Sequence, residues 1–243
     1  MRLHHRLARL FGYDLVHIRR NHPTVEAHLG LLFEHLKVNL VFDVGGNCGQ
    51  YVQLLRDNGY SGHIISFEPV AENVEQLNRL ATDDKRWLIC PYALGAANEV
   101  LEINVAQKST FSSFLTPNQY AEELFAKKAP VKDVERVQVR RLDDVYEELT
   151  GSFEESELRP FLKMDTQGYD LEVLAGAQQC LTKINAFQSE LSILPLYEGM
   201  PDYIQSLQRF RELGYGLSGL YQVTRDHSTG FLVEVECVMQ KLP

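Results

Sequence analysis

Four acids and one glycine turn carry the chemistry that can be read from this chain. The turn, Gly45-Gly46-Asn47-Cys48-Gly49, follows the apolar run Leu40-Val41-Phe42-Asp43-Val44. Glycine at such a turn lets the backbone approach a ligand closely, and Asp43, Gly45, Asn47 and Gly49 are the candidate contacts. A dinucleotide fingerprint requires glycine at relative positions 1, 3 and 6. Counting from Gly45 these positions hold Gly45, Asn47 and Gln50, so the turn suits a ligand without a pyrophosphate. Glu68, followed by Pro69, ends the next apolar run 23 residues beyond Gly45, where a carboxylate can accept hydrogen bonds from both hydroxyls of a ribose. Asp165 ends the run Phe161-Leu162-Lys163-Met164, and Glu190 lies in the following run. A carboxylate held there can take the proton from a reacting hydroxyl. Asp165 is the first candidate base and a further cofactor contact, and Glu190 is the second.

These residues need a doubly wound α/β sheet to bring them together. The run before Gly45 is long enough for a buried strand and too short for a helix, and Tyr51, Leu54 and Leu55 begin a helical pattern after the turn. Helical spacing returns over 70–80, and Trp87-Leu88-Ile89-Cys90 is a third strand. Tyr92 and Ala93 leave its tip, where an adenine edge would sit beside a ribose held by Glu68. The alternation is then interrupted by an insertion over about 99–140. It contains a strand with Leu101, Ile103 and Val105 on one face, a Ser/Thr cluster, and a predicted helix start at Thr116-Pro117-Asn118-Gln119 running toward Lys127. Ser109, Ser112 and Ser113 are candidate acceptor contacts on this insertion, as is Tyr197 on the loop after the fifth strand. The last two strands, near 216–220 and 231–239, are joined by a polar turn and should pair as a hairpin. The expected fold is a mostly parallel seven-stranded sheet with an antiparallel C-terminal hairpin strand and helices on both faces.

Composition narrows the partners. The 243 residues support one large domain, divided here into a helical extension over 1–38 and an α/β domain over 39–243. With 24 basic and 33 acidic residues the net charge is −9, and no basic stripe crosses the body of the chain, which argues against nucleic acid. The four cysteines show no zinc spacing and read as reduced thiols of a cytoplasmic protein. No apolar run is long enough to span a bilayer. Residues 1–20 hold Arg2, Arg6, Arg9, Arg19 and Arg20 against the single acid Asp14, with Leu3, Leu7 and Leu10 at helical spacing. Such a basic amphipathic segment suits packing on its own domain, a homo-oligomer contact, or an anionic surface.

An Asp-x-Gly turn with a ribose acid resembles the S-adenosylmethionine site of class I methyltransferases. More specifically, the sequence resembles the FkbM family of S-adenosylmethionine-dependent methyltransferases. The resemblance rests on Val41 to Gly49, Phe67-Glu68-Pro69, Leu162 to Ala177, and Glu190 to Gly199, and it spans about 38–240. The sequence departs from the family pattern in two places: Gly46 stands where alanine is usual, and Tyr169-Asp170 where a small residue and glutamate are usual. The resemblance implies methylation of a hydroxyl oxygen on a sugar, glycan or natural product. Two other readings compete with it. One is a cofactor-binding protein without chemistry. The other is a nitrogen methyltransferase, which would want Asn/Asp-Pro-Pro-aromatic where Asp165-Thr166-Gln167-Gly168 stands. Asp165 and Glu190 could alternatively share a Mg²⁺, but no third acid is spaced to join them, and the metal-free route is favoured.

Overall fold

The computed structural model describes residues 3–13, 15–16, 24–125, 130–151, 153 and 158–242. Its first half runs α1 (Leu3–Leu10), α2 (Val25–Leu36), β1 (Leu40–Val44), α3 (Gln50–Asp57), β2 (His63–Phe67), α4 (Ala71–Ala81), β3 (Trp87–Cys90), β4 (Ala93–Leu94) and β5 (Glu99–Ala106). Its second half runs α5 (Gln119–Leu124), β6 (Val131–Arg140), α6 (Leu142–Thr150), β7 (Pro160–Met164), α7 (Asp170–Ala175), β8 (Ala186–Ser192), α8 (Tyr203–Glu212), β9 (Tyr215–Arg225) and β10 (Leu232–Lys241). Seven strands form one sheet in the order β3-β2-β1-β7-β8-β10-β9. β10 enters antiparallel between β8 and β9, which is the hairpin closure expected from the sequence. The insertion makes a second sheet, β4-β6-β5.

β1 is buried at every position because parallel neighbours and helices enclose it. Its side chains alternate between two cores. Leu40, Phe42 and Val44 pack with Leu162, Met164 and Phe187 against Val145 of α6, Val173 of α7 and Phe210 of α8. Val41 faces the other way, with Ile64 and Phe161, against Leu29 and Phe33 of α2, Val52 of α3 and Leu77 of α4. The sequence boundary at residue 38 therefore separates elements that share a core. His28 of α2 lies 3.1 Å from Ser218 Oγ and 2.8 Å from Tyr221 Oη on β9, which makes it a structural histidine. α1 differs. Among the described side chains, Leu7, Leu10 and Phe11 of this segment are exposed. Arg2, Asp14, Arg19 and Arg20 lie outside the described residues.

The expected helix start at Thr116-Pro117 is displaced. Asn118 is the N-cap of α5, its side chain accepting from Ala121 N at 3.0 Å. Thr116 and Pro117 are instead held extended against the loop after β8, through Glu198 N to Thr116 O at 2.8 Å and a bridge between Pro117 and Tyr197. The far end toward Lys127 lies outside the described residues.

β1 must turn sharply at Gly45, which has φ of 80°. A Cβ there would stand 2.1 Å from the carbonyl oxygen of Asp165, so the turn after β1 passes against the end of β7 with room for hydrogen only. Gly45→Ala should cost roughly 2 kcal/mol or more, since strain from the positive φ adds to the clash. Denaturant unfolding of the variant checks this, and an unchanged midpoint would contradict the close approach.

Candidate active site

Directly below the turn lies a row of polar side chains in the middle of the sheet. Ser66, Asp43, Lys163 and Gln188 are successive register partners across β2, β1, β7 and β8, and all four are buried. Asp43 accepts from Ser66 Oγ at 2.7 Å, and Ser66 accepts from Trp87 Nε1 at 2.9 Å. Lys163 Nζ stands 3.2 Å from Asp43 Oδ1, donates to Gly45 O at 3.2 Å, and lies 3.6 Å from Asp165 Oδ2. Burial opposes its charge, but Asp43 and Asp165 more than compensate and hold its pKa above the ordinary lysine value. Asp43 therefore supports the turn from beneath and does not line the cavity above it. Register gives the reason. Asp43 pairs with Lys163, so Asp165 stands two residues beyond its level and only Asp165 reaches the ligand edge.

The cavity, about 290 Å³, opens above the ends of β1, β2, β7 and β8. Gly45, Asn47, Glu68, Pro69 and Ala93 form one side, Ser109, Ser112 and Ser113 cover it from the insertion, and Asp165, Gln167, Glu190 and Glu234 close the far end. Gly45 N and Gly46 N donate to Phe67 O at 3.0 and 3.1 Å, tying the turn to β2. Glu68 is 4% exposed and already oriented. Its Oε2 accepts from Asn47 N at 2.8 Å, and its Oε1 accepts from Val70 N at 2.9 Å and from Asn73 Nδ2 at 3.3 Å. Desolvation still raises its pKa against these bonds.

The serines cover the cavity by bonding to protein. Ser109 Oγ donates to Asn47 Oδ1 at 2.8 Å, Ser112 Oγ accepts from Ala106 N at 3.1 Å, and Ser113 Oγ donates to Gln167 O at 2.8 Å. Three residues expected at the site stand behind it. Gly49 caps α3 in a left-handed conformation beside Trp87 and Leu77. Tyr92 packs on Phe67, with ring centroids 5.7 Å apart, beneath the Arg140 guanidinium. Tyr197 is buried, its hydroxyl within 2.9 Å of Gln167 Oε1 and 3.1 Å of Phe111 O.

The acid end holds more groups than the sequence suggested. Gln167 Nε2 donates to Asp165 Oδ1 at 3.1 Å and to Glu190 Oε2 at 2.8 Å. Glu236 stands directly across from Glu190 in the β8–β10 register, and Gln188, which accepts from Tyr51 Oη at 2.9 Å, donates to it. Desolvation, and then Asp165, Glu234, Glu236 and Asp170, push Glu190 well above the ordinary carboxylate range. Glu234 is raised chiefly by desolvation, and Glu236 is raised to about 7 by desolvation and then by Asp165. Asp170 shapes the turn after β7 by accepting from Thr166 N at 3.1 Å and from Ser189 Oγ at 2.5 Å. Among the described residues no group of three His, Cys, Asp or Glu side chains is arranged to hold a metal.

Lys163, Gln167, Glu234 and Glu236 escaped the sequence reading. A signal existed for Lys163, because a lysine inside an otherwise apolar central strand must find buried acids.

With this geometry in place, comparison with known proteins settles the family. The model of the methyltransferase FkbM domain matches residues 43–217. The chain belongs to the FkbM methyltransferase family. Among curated proteins no sequence matches it. In solved structures, an rRNA methylase from Streptococcus thermophilus is 10% identical, with TM-score 0.43 over 88% of this chain and 95% of that one. Magnesium protoporphyrin IX methyltransferase from Synechocystis is 10% identical, with TM-score 0.41 over 98% of this chain and 90% of that one. Similarity at that level assigns no property to this FkbM-family chain. No described helix is long and apolar enough to cross a membrane.

The raised carboxyl at Glu236 makes folding pH-dependent. Its folded pKa of about 7 lies above the ordinary 4.5, so the native state binds the proton more tightly and stability falls as pH rises through that interval. Glu236→Gln removes this ionisation. The variant should gain on the parent by roughly 1 kcal/mol or more between acidic and neutral pH, measured by denaturant unfolding. A gap that stays constant with pH would contradict the assignment.

Proposed function

We propose that this methyltransferase binds S-adenosylmethionine between the Gly45–Asn47 turn and Glu68, and transfers its methyl group to a hydroxyl of a small-molecule or glycan acceptor. The observation that carries the reading is that one cavity joins the turn and Glu68 to the Asp165–Glu190 carboxylate pair. The fit to the cofactor follows from chemistry. Glu68 has three donors on its two oxygens, which leaves acceptor capacity for a ribose hydroxyl. The acid end of the cavity is complementary to a sulfonium and an ammonium.

When bound, the cofactor supplies a methyl group already activated on sulfur. The protein then has to align the acceptor oxygen and receive its proton as the carbon–oxygen bond forms and the carbon–sulfur bond breaks. Glu190 suits the proton better than Asp165, although the sequence favours Asp165. Desolvation and four neighbouring acids raise Glu190 well above the ordinary carboxylate range and make it the more basic carboxylate, whereas Asp165 lies 3.6 Å from the Lys163 ammonium. A route without Mg²⁺ is supported by Gln167, whose amide N–H groups already bridge the two carboxylates.

Glu68→Ala should weaken S-adenosylmethionine and S-adenosylhomocysteine by about tenfold or more, because a hydrogen bond to a charged group is worth roughly 1.5–3 kcal/mol. Calorimetry measures this, and unchanged affinity would remove Glu68 from the cofactor site. Methyl transfer to a panel of sugars and polyols, followed as S-adenosylhomocysteine formed, should lose most turnover in Glu190→Gln with the cofactor still bound. The same assay should be indifferent to EDTA. Loss on chelation with recovery in Mg²⁺ would turn the two carboxylates into metal ligands.

A further inference from the structure

Gln167 is held in a conformation that its residue type does not favour. Its φ is 52°, in the left-handed region, and it is followed by Gly168 at 94°. Non-glycine residues avoid that region, and when the surroundings enforce it the position commonly serves a site. Both ends of Gln167 are fixed. Ser113 Oγ donates to its carbonyl at 2.8 Å while accepting from Leu115 N at 3.0 Å. The Tyr197 hydroxyl, 2.9 Å from Oε1, selects which face of the amide points inward. Reversing the amide would set its oxygen against two carboxylates, so the two Nε2 hydrogens are committed to Asp165 and Glu190.

We propose that Gln167 is a positioning residue that fixes Asp165 and Glu190 in one orientation and couples that orientation to the seating of loop 108–114 over the cavity. The inference rests on the proposed methyl-transfer reading for its purpose, but its geometry stands without it. The loop contributes the backbone restraint and touches the residue that supplies the other. Ser113 holds the backbone of Gln167, and Tyr197, which fixes its side chain, lies within hydrogen-bond distance of the loop at Phe111 O, 3.1 Å. A loop that lifts away removes the Ser113 restraint on the Gln167 backbone and lets the amide shift away from the carboxylates. The two carboxylates then lose the donors that favour their charged forms, and proton uptake by Glu190 becomes easier at a given pH. With the loop seated, Glu190 keeps the donor that favours its ionised form and is ready to receive a proton.

The test reads the carboxyl directly and does not need an acceptor. In protein labelled with ¹³C at glutamate side-chain carboxyls, the Glu190 signal is assigned by its loss in Glu190→Gln and titrated. Gln167→Met, of similar volume and without donors, should raise the Glu190 midpoint by roughly one pH unit. Ser113→Ala, which touches neither carboxylate, should move it the same way by a smaller amount. A residue that merely supports the fold would lower stability and leave the midpoint where it was. An unmoved midpoint in Gln167→Met overturns the proposal, and a midpoint moved there but unmoved in Ser113→Ala overturns the coupling to the loop. If the parent protein transfers no methyl group, the functional reading fails while the titration still decides the role of Gln167.

Discussion

The buried ammonium of Lys163 is the constraint on which the rest of the site depends. A charge out of water is tolerated only where oxygens surround it, and here they come from three parts of the chain. Asp43 supplies one from β1, Gly45 another from the turn, and Asp165 a third from the end of β7. The same contact therefore sets where the chain leaves β1 and where the first carboxylate of the cavity stands. The row from Ser66 to Gln188 extends this polar layer sideways across the sheet, so the cavity floor is fixed by hydrogen bonds as well as by packing. Removing one partner of such an ion pair leaves a buried charge uncompensated, which costs far more than a surface pair does.

One cation does not balance the acids around it. Asp43, Asp165 and Glu236 all act on Lys163, and Glu190 is surrounded by Asp165, Glu234, Glu236 and Asp170. The protein answers this excess by raising the carboxyl pKa values of Glu190, Glu234 and Glu236, the last to about 7. A cationic ligand would answer it better. On the proposed reading the excess is what draws the sulfonium end of the cofactor to the acceptor side, while Glu68 holds the neutral ribose at the other end of the cavity. The cluster then has two uses, as a counter-charge for the cofactor and as the acceptor for the hydroxyl proton.

Much of this architecture was legible in the sequence, for reasons that can be named. Parallel strands read as short apolar runs, so β1, β2, β3 and β7 were placed closely, and the glycine turn marked the edge where the cavity opens. What failed to show was anything decided by register or by a third dimension. Asp43 and Asp165 look equivalent, each a carboxylate at the end of an apolar run, yet pairing across β1 and β7 sets them two residues apart. Glu234 and Glu236 alternate with valines on β10, and only the pairing of β10 between β8 and β9 brings them to the acid end of the cavity. Tyr197 and Tyr92 follow strand ends in chain order, and packing turns both away from the cavity. Ser109, Ser112 and Ser113 line it as expected, with their hydroxyls engaged by neighbouring protein groups in a way no spacing rule conveys.

Proton release on cofactor binding tests the central claim most directly, because the claim is that a cation-deficient carboxylate cluster waits for a cationic ligand. Calorimetric titration at about pH 6.5 in buffers of different ionisation heat counts the protons released. S-adenosylmethionine should release more protons than S-adenosylhomocysteine, which lacks the sulfonium charge, and the difference should shrink in Glu190→Gln and Glu236→Gln. Equal release by the two ligands would contradict the account.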